Sequence, residues 1–140
     1  MTRHIMSNAD IVFEFMLAGK ATITIQSTET EVHYTYRITK ANYNKVWFVS
    51  LLTSSDHYTY MGIIRKGIFG TTAKSSYSME TTPVKAFLYF FNHLKGRNIA
   101  PKLNVYHEGK CGMCNRPLTT PESIERGIGP ICASYQGSLF

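Results

Sequence analysis

All three cysteines of the chain fall between residues 111 and 132, as Cys111-Gly112-Met113-Cys114 followed by Cys132. A Cys-x-x-Cys turn aims two thiolates at one centre, and a third from the start of a later element fills three corners of the tetrahedron zinc prefers. Three cysteines cannot all pair with one another, and a reducing compartment keeps them as thiols, which argues against a disulfide framework. A redox Cys-x-x-Cys opens a long helix, whereas Asn115-Arg116-Pro117 follows here. The pattern predicts a metal centre on Cys111, Cys114 and Cys132 with zinc as cofactor, structural because closed Cys/His sets leave no open position. For the fourth ligand His107, on an incoming strand, comes first, His93 at a helix end second, and a carboxylate such as Glu108 third.

The surrounding segment is densely punctuated. Thr119 and Glu122 stand in capping-box spacing and Thr120-Pro121 offers a second start, so either way a short helix runs from about residue 121 to Arg126. Gly127-Ile128-Gly129-Pro130 makes a hairpin, and Pro130 opens a last helix with Cys132 in its first turn. A knuckle, a short element and a helix-borne ligand outline a treble-clef or zinc-ribbon-like module. Residues 106–140 hold too little core to fold without the metal. The string from Cys111 through Asn115-Arg116-Pro117-Leu118 and Pro121-Glu122-Ser123-Ile124 to Gly127-Ile128-Gly129-Pro130 and Cys132 resembles an uncharacterised family of small phage and bacterial proteins with a C-terminal zinc module. The resemblance covers about residues 107–134. Upstream, Phe48-Val49-Ser50-Leu51-Leu52-Thr53 and Tyr58-Thr59-Tyr60-Met61-Gly62 also look like small phage proteins carrying this module. It implies metal binding and a phage or prophage setting, and no known reaction.

Pro101 interrupts helix and strand alike, which places a boundary there: a domain over 1–100 and the zinc module over 101–140. In the first, Ser7 caps a helix over about 8–18, stopped by Gly19. From Lys20 the period changes to two. Ala21, Ile23 and Ile25 alternate with threonines, and Val32, Tyr34, Tyr36 and Ile38 share a face opposite His33, Thr35, Arg37 and Thr39. Val46-Trp47-Phe48-Val49 suits a central strand buried on both faces, His57–Ile64 is a further strand, and residues 68–81 leave room for one more short one. Thr82-Pro83 starts a helix that Gly96 stops, with Val84, Phe87, Leu88, Phe91 and Leu94 toward the sheet. The fold class is α+β: an antiparallel sheet of four or five strands with one or two packed helices, plus the small C-terminal module.

Twelve of the fifteen basic and six of the nine acidic side chains lie in residues 1–105, so the net charge of +6 belongs to that part of the chain. A positive field favours polyanions, and DNA, RNA or a host protein that handles nucleic acid are the partners expected. Candidate contacts are Arg37, Lys45, Arg65, Lys66 and Lys74, with Tyr34, Tyr36, Tyr58, Tyr60 and Trp47 nearby as stacking rings, although Tyr34 and Tyr36 share their face with core positions. Gly127 and Gly129 have the Gly-x-Gly form that presents backbone N–H groups to a phosphate, and equally the form of a turn that only brings Cys132 to the metal. Three functions are expected in this order: a non-enzymatic zinc protein that binds nucleic acid or regulates a nucleic-acid-handling partner, a protein-interaction module such as an inhibitor of a host defence protein, and a treble-clef nuclease-like enzyme. The last has the weakest support, because a His107 that ligates zinc cannot also act as a base. No stretch approaches the roughly 18–20 apolar residues of a spanning helix, and the N-terminus has no apolar leader, so a cytoplasmic location is expected.

Overall fold

A computed structural model describes residues 3–42 and 45–133. In chain order they form β1 (His4–Met6), α1 (Ala9–Met16), β2 (Lys20–Ser27), β3 (His33–Lys40), β4 (Val46–Ser54), β5 (His57–Arg65), β6 (Ile68–Gly70), α2 (Thr82–Lys95), β7 (Leu103–His107) and α3 (Pro121–Arg126). Residues 130–133 are also helical. The seven strands make one antiparallel sheet in the order β1-β7-β2-β3-β4-β5-β6.

Alternation decides which way each strand faces. Ala21, Ile23 and Ile25 of β2 lie opposite Ile38, Tyr36 and Tyr34 of β3, and Tyr36 and Ile38 lie opposite Leu51 and Val49 of β4, giving one continuous apolar face. α2 covers it with Val84, Phe87, Phe90, Phe91 and Leu94, all buried. Phe87 meets the Tyr36 ring edge-on at 4.9 Å, and the Tyr36 hydroxyl donates to the Pro83 carbonyl at 2.8 Å, so the one polar atom of this buried side chain is satisfied. α1 adds Val12, Phe15 and Met16 to the same core. Burying a side chain of this size contributes about 1.5–3 kcal/mol, and the concentration of phenylalanines on α2 makes that layer the main source of stability.

Several expectations change. The first helix is capped by Asn8, whose side chain accepts from Ile11 N–H at 3.1 Å, one residue beyond Ser7. Thr81, not Thr82, is the N-cap of α2, and Phe90 takes the buried place expected of the half-buried Leu88. β4 is not buried on both faces: Val49 and Leu51 point into the core, while Phe48 is 37% exposed. α1 and α2 both pack on the core face, so the face of Thr22, Arg37, Ser50 and Tyr60 carries neither. The boundary expected at residue 100 also moves. β7 lies inside the sheet between β1 and β2, with Val105 opposite both Met6 and Ile25, so the sheet extends to His107 and the module begins after it. No helix among the described residues is long and apolar enough to cross a membrane.

Candidate metal centre

The knuckle grows out of the end of β7. Gly109, at φ 79°, turns the chain, and Leu118 N–H returns to the Gly109 carbonyl at 2.8 Å. Cys111 N–H then bonds Arg116 O, and Asn115 N–H bonds Cys111 O, each at 2.8 Å, with Asn115 in the left-handed region at φ 66°. This tight loop puts the Cys111 and Cys114 side chains on one side. α3 follows with a capping box between Thr120 and Ser123 rather than Thr119 and Glu122. It ends at Gly127, and Cys132 arrives on the helical turn at 130–133. The three Sγ atoms all lie within 4.8 Å of one another. Four sulfurs at about 2.3 Å around a tetrahedral ion sit roughly 3.8 Å apart, so the three thiols are close enough to hold one metal ion.

The electrostatics suit a cation. Burial would raise the Cys111 thiol, but N–H donors from Gly129, Cys114 and Met113 outweigh it and hold it below its ordinary value. The Gly129 and Met113 N–H groups reach Cys111 Sγ at 3.3 and 3.4 Å. The Cys132 thiol is pushed up to about 12, first by burial and then by the Cys114 and Cys111 thiols beside it. Three thiolates at this spacing repel one another, and a bound cation relieves that repulsion.

The structure does not bring His107 to the thiols. Its Nε2–H donates to the Ile124 carbonyl at 2.6 Å and its Nδ1 accepts from Gly109 N–H at 2.9 Å, so both ring nitrogens are committed to backbone. The ring is 1% exposed, stacked on His4 at 5.2 Å and tilted against Phe15 at 5.5 Å. Burial, then the Ile124 contact in opposition, then His4 leave its pKa lowered, so it is a neutral strut joining β7 to α3. His93 is bonded through Nδ1 to its own helix at Tyr89 O, and Glu108 lines a different cleft.

Gly127 and Gly129 do not offer their N–H groups outward. The first donates to Ser123 O at 2.7 Å and the second to Cys111 Sγ. The phosphate-binding reading is therefore corrected to the turn-forming one, and packing adds its own reason. A Cβ on Gly112 or Gly127 would stand 2.7 or 2.5 Å from Phe15 Cδ1, so the α1 ring is wedged between the two glycines. This wedge escaped the sequence reading, because Phe15 looks like any core position of an amphipathic helix.

The basic candidates separate into two places. Lys45, Arg65 and Lys66 are exposed at one end of the β4–β5 pair, where Val46 opposes Arg65, and Lys74 is exposed on the loop after β6. Arg37 stands mid-strand on the helix-free face, its guanidinium 3.8 Å from the centre of the Tyr58 ring. Tyr36 is buried, Tyr34 packs against the core, and Trp47 donates to Leu17 O at 3.0 Å, so these three rings are structural. Missed by the sequence reading, Lys20 and Lys110 join Arg37, Thr22, Tyr58 and Glu108 around a cleft of about 220 Å³ where the knuckle meets the sheet. Residue spacing gave no signal for it, because Lys20 and Lys110 are brought together by the pairing of β2 with β7 and by the bond from Lys20 N–H to Gly112 O, at 2.6 Å.

Residues 102–137 match a family of unknown function, DUF6011. The match takes in β7 and the whole knuckle, and it lies on the segment whose cysteine spacing drew the resemblance. No curated protein and no solved structure matches the chain.

Proposed function

We propose that the chain is a zinc-stabilised, non-enzymatic protein that binds single-stranded nucleic acid across the helix-free face of its sheet. The observation that carries this reading is the cleft between sheet and knuckle. Four ion pairs occur among the described residues, Lys85–Glu80, Arg97–Asp10, Lys102–Glu29 and Arg126–Glu14, and none of them uses Lys20, Arg37 or Lys110. Three cations without a carboxylate in ion-pair range, against one Glu108, suit a phosphate. Aromatic rings continue from the cleft along the same face, with Phe48 and Tyr60 edge-to-face at 6.2 Å and Arg3 over Tyr106 at 6.0 Å. Rings for stacking beside cations for phosphates are the combination single strands use.

Zinc is the metal we assign, because a set of three thiols in a knuckle suits a borderline-soft ion without redox chemistry. The metal fixes the knuckle, and the knuckle carries Lys110 over the sheet. A phage or prophage setting belongs to this reading through the resemblance of residues 107–134. The test is a fluorescence-anisotropy titration of zinc-loaded protein with single- and double-stranded DNA and RNA at several salt concentrations. The expected result is tighter binding of single strands, an affinity that falls steeply with salt, and a smaller salt slope in a Lys20→Ala, Arg37→Ala, Lys110→Ala variant. Absence of binding at low salt would overturn the reading and turn the search to protein partners.

A further inference from the structure

We infer that the three-thiol centre keeps its fourth coordination position open to a surface cleft and takes there a thiolate from outside these 140 residues. The inference rests on the metal reading above and is independent of nucleic-acid binding.

Every His, Cys, Asp and Glu of the sequence is among the described residues, and the group that converges contains three, Cys111, Cys114 and Cys132. His107 would have to give up two backbone hydrogen bonds while buried in order to ligate, leaving the Ile124 carbonyl and the Gly109 N–H without their partner. A divalent ion on three thiolates still lacks one ligand for a tetrahedron.

All three cysteines line one cleft of about 300 Å³, whose other walls include Arg116, Leu118, Pro130 and Ile131. Among the described residues Cys111 is 1% exposed while Cys114 and Cys132 are half-buried, so with respect to them the cluster is sealed behind Cys111 and reachable across the other two. This is the layout of a centre with an available position, not of a closed structural site, and it revises the expectation of a closed Cys/His set.

The walls select the donor. The Leu118, Pro130 and Ile131 side chains present hydrocarbon to the incoming donor, which favours a weakly hydrated ligand over a strongly hydrated one. A thiolate is soft, weakly hydrated and matched to the three sulfurs already present, and Arg116, which lines the same cleft, sets a positive charge against the one it brings. Such a donor comes either from a small thiol or from a protein cysteine that enters the cleft, whether of another protein or of this polypeptide beyond the 140 residues.

The experiment uses the full chain loaded with Co²⁺ under anaerobic conditions, free of reductant and imidazole, with visible absorption as readout. One arm adds 2-mercaptoethanol, a second a short peptide with one cysteine between apolar residues, and a third the same peptide with serine. Metal content is measured after gel filtration, so that stripping is not mistaken for binding. The expected result is a saturable gain in thiolate-to-cobalt charge transfer at one equivalent of thiol per cobalt, with no change from the serine peptide. A response to both thiols names a small thiol as sufficient, and a response to the peptide alone names a protein cysteine. Arg116→Gln is expected to retain cobalt and weaken the thiol several-fold. A spectrum that neither thiol moves while cobalt is retained overturns the inference. Failure to retain cobalt at all would instead overturn the metal reading beneath it.

Discussion

At Gly127 the chain leaves α3 with φ at 77°, and a Cβ there would come 2.5 Å from Phe15 Cδ1. Gly127→Ala therefore meets both backbone strain and overpacking, and a loss of at least about 2 kcal/mol is expected from urea denaturation. Gly67 provides the contrast. Its φ is 74° but nothing lies within 4 Å of a Cβ, so Gly67→Ala is expected to cost only the conformational part, about 1–2 kcal/mol. His107 sets a pH dependence. Its folded pKa is lowered by burial, so the unfolded chain takes up a proton first as the pH falls. The stability it contributes is present above its unfolded value near 6.5 and is lost as the pH drops below it toward the folded value. Urea midpoints measured from pH 7.5 to 5.5 at constant metal loading are expected to fall, and to fall less in a His107→Gln variant.

Among the elements, α1 has two jobs. Phe15 fills the core between helix and sheet and also separates Gly112 from Gly127 at the back of the thiol cluster, while Glu14 accepts from Arg126 of α3 at 2.8 Å. Phe15→Ala is expected to cost about 3–5 kcal/mol and, unlike other core truncations, to weaken metal affinity as well, which competition with a chromophoric chelator would measure. Elements with a clear period were legible in the sequence. The alternation at Ala21, Ile23 and Ile25, the Pro-to-Gly span of α2 and the Thr120-Pro121 start of α3 each follow from side-chain direction or capping over a few residues. β1 was not, because three residues carry no period and its only partner is a hundred positions away. Val46-Trp47-Phe48-Val49 was misread because an apolar run does not reveal that one of its faces has no layer to pack on. The cysteines were legible through spacing, whereas the role of His107 depends on His4, Phe15 and Ile124, which only the fold brings to its ring.

On the scale of the whole molecule, the knuckle is joined to the rest of the fold by the Lys20 to Gly112 bond, the Phe15 wedge, the His107 strut and the Glu14–Arg126 ion pair. Chelation, or Cys111→Ser, is therefore expected to unfold residues from about 109 onward while β2 to β5 persist. Hydrogen exchange by mass spectrometry should show protection lost in the peptides covering 109–133 and retained in those covering 20–65. Loss of protection throughout would mean that the sheet needs the metal too.

The position of β7 has a consequence for how the protein is made. Strand β1 touches the sheet only through β7, which is made about a hundred residues after it. Until then the inner edge of β2 is bare, with Ile23 and Ile25 flanking unpaired backbone groups that invite another chain. A nascent chain stalled at residue 100 is expected to aggregate or to recruit a chaperone, and one extended past His107 to become protease-resistant. The β1 side of this sheet is closed last, and the exposure of β2 lasts as long as translation takes to reach β7.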